Sequence, residues 1–138
     1  MAQQIERRFI NEYLHEKFSD KHYQTRVWLG PAQPGKEANE YMVVGKWADA
    51  ILFEPQQITI IETKLEPVAT AIGQLEMYEQ EFPKTLRFQQ YWNTPIKKSL
   101  VTTRVDESVQ DVCKLHNIEY VVYHPDWISF WEKRRFRI

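Results

Sequence analysis

The chain has 138 residues, 43% of them hydrophobic and 27% charged, with a formal net charge of −1. That size suits one domain, residues 1–138, with a normal core; the apolar runs fall short of the roughly 20 residues a membrane span needs, and "MAQQIERRF" lacks the apolar stretch of a signal peptide. A single cysteine, Cys113, excludes an internal disulfide and a cysteine-based zinc site, so a cytoplasmic protein without a membrane partner is expected, with Cys113 a small buried hydrophobe.

Residues 3–18, "QQIERRFINEYLHEKF", place Ile5, Phe9, Ile10, Tyr13 and Leu14 on one wide stripe at about 100° per residue, which predicts an amphipathic helix. Glu6 falls inside that stripe, whereas Glu12 and Glu16 lie at its edge or beyond. "HYQTRVWLG", residues 22–30, reads as a first strand, and the prolines and glycine of "PAQPGKEANE" make a loop or hairpin tip. A second strand covers about Met42 to Phe53 and a third Ile58 to Lys64. Pro67 then opens a helix with Val68, Ala71, Ile72, Leu75 and Phe82 as its core stripe, continuing to about Glu81. "PKTLRFQQYWNTP" is irregular or partly helical, and "KKSLVTT" is a fourth strand. Asp106 caps a helix running to about His116, "IEYVVYH" is a fifth strand, and "PDWISFWEKRRFRI" ends the chain as a short helix or turn. Trp127, Phe130 and Trp131 are expected to close the core there. The order implies an α/β sandwich, a mixed central sheet flanked by helices.

Charge is sorted along the chain. From Glu37 to Glu81 there are nine acids against two bases, Lys46 and Lys64. From Phe82 to Val105 there is no acid, while Lys84, Arg87, Lys97, Lys98 and Arg104 are basic, and the end adds Lys133, Arg134, Arg135 and Arg137. Sorting of this kind lets a nearly neutral chain bind a polyanion; a solvated loop and a frayed tail would look the same. Phe88, Tyr91 and Trp92 could stack on bases or form a packed lid. The four histidines lack metal-ligand spacing.

The chemistry concentrates in "IIETKLEP", residues 60–67, where Glu62 and Lys64 stand two apart at the end of an apolar strand. Alternate strand residues share a face, so this acid and base are side by side. Asp49 interrupts the otherwise apolar "VVGKWADAILFE" thirteen residues earlier. A buried unpaired carboxylate is costly, and neighbouring strands lie about 4.8 Å apart, so Asp49 and Glu62 could converge. Two converging acids repel unless a cation sits between them, and a hard divalent ion such as Mg²⁺ suits oxygen ligands. The Thr63 carbonyl could add an oxygen, and Glu6 could serve as an outer or second-metal ligand. Lys64 would hold and polarise a water beside the metal. The competing reading is an exposed Glu62–Lys64 pair worth less than about 1 kcal/mol.

These residues resemble the PD-(D/E)xK nuclease superfamily, whose signature is an acid on one strand and E-x-K on the next, behind a helix that often carries a glutamate. "IERRFINEYL" is similar to the first helix of archaeal Holliday-junction resolvases, "WADAILFE" supplies Asp49 and "IIETKL" supplies Glu62 and Lys64, with Ala48 where the nominal proline belongs. "IGQLEMYEQ" carries Gln74 and Tyr78, similar to the Q-x-x-x-Y motif of RecB-type nuclease domains. The resemblance implies a restriction-endonuclease-like αβββαβ core extended by a C-terminal helix and strand. It implies a Mg²⁺-dependent deoxyribonuclease, Mn²⁺ substituting, with Asp49, Glu62, Lys64, Glu6 and Gln74 catalytic and Asp49, Glu62, Thr63 and Glu6 on the metal.

The implied partner is DNA, whether duplex, branched or single-stranded, alongside a possible second copy or partner protein. Gln74, Tyr78, Lys84, Arg87, Lys97, Lys98, Arg134 and Arg135 are the candidate DNA contacts. Two rivals share the fold: a nucleic-acid-binding module without cleavage, and an assembly protein that uses the fold as an interaction platform.

Overall fold

Strands β1 (His22–Trp28), β2 (Trp47–Glu54), β3 (Gln57–Lys64), β4 (Ile96–Thr102) and β5 (Ile118–Val122) make one sheet in that spatial order in the computed structural model, which describes residues 2–31 and 47–136. β1, β2 and β3 form an antiparallel meander, while β4 and β5 join parallel to β3. The mixed sheet is therefore the expected one. The loop at 32–40 and the part of the second strand before Trp47 lie outside the described residues.

Helices cover both faces, and hydrophobic pattern explains which goes where. On one face α1 (Ala2–Phe18) lays Phe9, Ile10, Tyr13 and Leu14 over Ala50, Ile61 and Val101, joined by Ile128 of α4 (Asp126–Phe136). On the other, α2 (Thr70–Glu81) and α3 (Glu107–Leu115) bring Ala71, Ile72, Leu75, Tyr78, Val109 and Cys113 against Ile51, Phe53, Ile58, Ile60 and Leu100. β3 has apolar side chains on both faces, as a central strand covered on two sides requires. Truncating one of these fully buried residues, such as Leu75 to alanine, costs about 2–5 kcal/mol.

Local chemistry sets the element ends. Asp106 caps α3 by accepting from the Val109 N–H at 3.1 Å, as its sequence position suggests. α2 begins at Thr70 rather than at Pro67, because the first backward bonds run from Ala71 and Ile72 to Val68 and Ala69. Pro67 and Val68 thus belong to the approach, not to the helix. Two 3-10 turns, Phe82–Lys84 and Leu86–Tyr91, follow α2. Phe88 there is buried, 5.2 Å from the Phe53 ring and stacked 5.6 Å from Phe82, and the Trp92 indole donates to the Thr85 carbonyl. This segment is a packed lid, and Phe88 presents no face to a base. In α4, Trp127 and Trp131 pack against the α1-side cluster, but Phe130 is 65% exposed and does not close the core.

Candidate active site

The β2–β3 hairpin is regular from Glu54↔Gln57 to Ala50↔Ile61. One more step would set Asp49 opposite Glu62, and there the ladder stops. The Thr63 N–H and hydroxyl instead both donate to Asp49 Oδ2 at 2.8 Å. Ala48 belongs to the α2-side cluster and Ala50 to the α1-side cluster. Residues two apart in a regular strand share a face, so β2 rotates at Asp49. β1 accommodates the same rotation: Arg26 lies between the paired residues Thr25↔Ala50 and Val27↔Ala48 and has a left-handed φ of 51°. The break in regular pairing is what frees an aspartate from the ladder and aims it at the end of β3.

Glu62 is buried, with Oε2 3.7 Å from the Lys64 ammonium and Oε1 without a hydrogen-bond partner. Burial, reinforced by the charge of Asp49, pushes its carboxyl up to about 8, against the pull of Lys64. Asp49 is likewise raised by burial, opposed by its two bonds from Thr63 and by the charges of Lys64 and Arg26. The Tyr78 hydroxyl donates to the Trp47 carbonyl at 2.7 Å and lies within hydrogen-bonding reach of the Glu62 carboxylate. Its one proton is shared between the two acceptors, and its contact with Glu62 favours the ionised carboxylate. Burial, then the charge of Glu62, raises the Tyr78 phenol strongly. Gln74, one helical turn before Tyr78, is half-buried with its Oε1 shielded and unpartnered.

On the α1 side a cavity of about 610 Å³ opens over Asp49 and Thr63, walled by Glu6, Arg7 and Asn11 of α1 and by Arg26 of β1. Glu6 is exposed at its rim but turned toward the cavity; partial burial raises its carboxyl, with Lys64 lowering and Asp49 raising it. Among the described residues no group of three His, Cys, Asp or Glu side chains comes together as a metal cluster. The expected meeting of three acids is therefore corrected: two strand acids adjoin, and Glu6 faces them from the cavity rim. Those two acids still fit a hard divalent ion. Glu62 Oε1 is a shielded oxygen with no hydrogen-bond partner, and the charge of Asp49 raises the cost of ionising Glu62. Carboxylate and carbonyl oxygens of this kind suit Mg²⁺, which needs only one or two protein carboxylates.

Two arginines on the cavity wall, Arg7 and Arg26, were not among the DNA candidates drawn from charge. Arg7 follows Glu6 and was legible from that adjacency; nothing local in "YQTRVW" announces the unusual backbone of Arg26. The expected basic contacts have other partners. Lys98 is a correction: its ammonium is buried between Glu76 and Glu79 at 2.9 and 2.8 Å, so it cannot meet a phosphate. Lys97 pairs with Glu119 and Lys84 with Glu81, each at 3.1 Å. Arg87 lies over the Phe88 ring and Arg134 over Phe130, at 4.5 and 5.7 Å; the Arg135 side chain lies outside the described residues.

The sequence matches no family model and no curated protein. Among solved structures the chain is similar to EndoMS, determined as a complex with double-stranded DNA, with a TM-score of 0.52 and 12% identity over 84% of this chain and 43% of that one. It is similar also to a repair endonuclease from Pyrococcus abyssi, with a TM-score of 0.53 and 12% identity over 84% of this chain and 46% of that one. The chain spans under half the length of either. At such identity the likeness is one of fold: a mixed five-stranded sheet flanked by helices, shared with these two structures.

Proposed function

We propose that the chain is a divalent-metal-dependent deoxyribonuclease that hydrolyses phosphodiester bonds at the cavity beside Asp49. One observation carries the reading: two adjacent strand acids repel one another around a shielded, unpartnered Glu62 Oε1, with the Lys64 ammonium 3.7 Å from the other oxygen. The shared fold supports a nuclease, and DNA is the partner that reading calls for. Asp49, Glu62 and the Thr63 carbonyl would hold Mg²⁺, or Mn²⁺ in its place. The ion would supply a Lewis acid for the charge that develops on the phosphoryl and leaving oxygens.

The chain's own residues do the rest. Thr63 fixes the Asp49 carboxylate through two bonds to one oxygen. Lys64 orients the attacking water by donating from Nζ, and holds Glu62 ionised when the site is charged. Tyr78, anchored on the Trp47 carbonyl, and Gln74 close the α2 side against solvent. Glu6 stands at the cavity rim, where it assists from across the opening.

The test compares wild type with Lys64→Ala and Glu62→Gln on plasmid, branched and single-stranded DNA in Mg²⁺ or Mn²⁺. Scission by wild type that chelator abolishes, and that both variants lose, is the expected result. DNA binding with no metal-dependent scission on any substrate would select a binding module. Failure to bind DNA at low salt, with a stable complex to a protein, would select an assembly role.

A further inference from the structure

Arg26 combines three properties found together at no other described arginine. Its backbone is left-handed, with φ of 51°, a region that non-glycine side chains rarely occupy and that costs on the order of the strain of an αL residue. Asn117 is the other such residue, but it follows the end of α3, where asparagine is commonly tolerated. Arg26 also sits where the β1–β2 ladder breaks opposite Asp49, on the wall of the cavity above that acid. Its guanidinium lies 4.8 Å from the centre of the Trp47 ring and is exposed, and no ion pair ties it to a carboxylate among the described residues.

The last point separates it from the bases that are held in pairs. Lys84, Lys97, Lys98 and Arg104 each have an acid within 4.0 Å, and so does Lys64. Arg26 affects Asp49 only at a distance, lowering the cost of its charge. Over the Trp47 ring, the guanidinium leaves its N–H edge available. A planar fork of donors held in this way matches the oxygens of a phosphate. The residue lines a second cavity too, of about 460 Å³, with Trp47 and Arg87 on its wall. It is therefore open to a ligand that continues past the Asp49 cavity.

We infer that Arg26 is a positioning residue that grips a phosphate of the bound DNA strand at the mouth of the Asp49 cavity, with Trp47 as its platform. The inference rests on the nuclease reading of that cavity and adds the element that holds the strand against it. The strained backbone then has a purpose: in an ordinary β conformation the side chain would follow the sheet's alternation instead of turning toward the break.

Equilibrium binding of a labelled DNA duplex and its single strand, in Ca²⁺ and in chelator, tests this across roughly 50 to 200 mM salt. Arg26→Ala should weaken binding about tenfold and lower the slope of log affinity against log salt by about 0.9, the signature of one lost phosphate contact. Arg26→Lys should keep the slope and lose part of the affinity, because the charge remains without the fork. Arg26→Gly should bind as poorly as the alanine variant while its Tm stays level or rises by about 2–4 °C, since glycine accepts a positive φ. Wild-type affinity and slope in the alanine and glycine variants would overturn the inference. So would a glycine variant that loses several degrees of Tm with unchanged binding, which would make Arg26 a fold-holding residue. Arg26-dependent binding by a wild type that never cuts in Mg²⁺ or Mn²⁺ would support the phosphate grip and remove the hydrolysis.

Discussion

The two ends of the β3–β4 pair both carry acids and bases, and they behave oppositely. At the end where β4 begins, Lys98 is buried but matched: Glu76 and Glu79 take its ammonium at 2.9 and 2.8 Å, and Lys97 beside it meets Glu119. At the end where β3 finishes, Glu62 is equally buried but short of partners, with one oxygen unbonded and Lys64 only 3.7 Å from the other. A matched buried charge holds the fold together. An unmatched one leaves the protein with a cost that a proton or a bound cation removes. Charge alone along the chain does not separate these cases; the count of satisfied donors and acceptors does.

The sharpest way to break that comparison is to remove the unmatched charge. Glu62→Gln keeps the shape of the side chain and discards the carboxylate. We expect metal-dependent DNA scission to fall by at least about 10³-fold, in the range that metal and electrostatic contributions reach. Its thermal stability in chelator at pH 8 should hold or rise, because the buried repulsion with Asp49 disappears. A rate within tenfold of wild type would show that Glu62 is not part of the reacting centre.

The mirror-image experiment is at the matched end. Lys98→Ala leaves Glu76 and Glu79, one turn apart on the same face of α2, without the ammonium they share, so stability should fall by about 2–4 kcal/mol in denaturant unfolding. The rate of scission per folded molecule should stay at the wild-type value. Loss of DNA affinity with stability unchanged would put Lys98 back among the DNA contacts.

How much of this was legible in the sequence follows from what each feature depends on. The element order and the mixed sheet follow from hydrophobic period and turn residues, which are local. Asp49, Glu62 and Lys64 were legible because charge inside an apolar strand is conspicuous whatever the tertiary structure. The start of α2 was misplaced because Pro67 is compatible with an approach turn as well as with a helix N-terminus. Lys98 was misread as a DNA contact because its partners, Glu76 and Glu79, are about twenty residues away on another element. Glu6 lines the cavity as its helical phase implies, but phase gives a direction and not a distance, so it does not join the two strand acids in a cluster. Arg26 was missed since its signal is a backbone angle, and arginine carries no preference for it.

Proton linkage sharpens the comparison further. The Glu62 carboxyl is raised to about 8 in the folded chain, from an ordinary value of 4.5. Between those two values the folded chain binds more protons at this site than the unfolded chain. Stability from this group therefore falls as pH rises from 4.5 to about 8 and is flat above. In chelator the difference in unfolding free energy between wild type and Glu62→Gln should change across that window on the order of 1–3 kcal/mol, in favour of the variant at the alkaline end. A difference independent of pH would mean that Glu62 keeps an ordinary carboxyl and is already matched. Saturating Mg²⁺ should flatten the same curve, because a bound ion favours the ionised acid.

The smallest effect belongs to Lys97, and its smallness is informative. Its pair with Glu119 is part exposed on both sides, so Lys97→Ala should change stability by no more than about 0.5 kcal/mol. The residue pairs with Thr59 in the register, five positions from Lys64, which is about 16 Å along a strand. A DNA strand held at the Asp49 cavity by Arg26 has no reason to reach it, so the salt slope of binding should be that of wild type. A slope reduced by about 0.9 in Lys97→Ala would show DNA running the length of the β3–β4 pair. In that case the matched end would be part of the interface as well, and the distinction between matched and unmatched charge would no longer mark where the chemistry is.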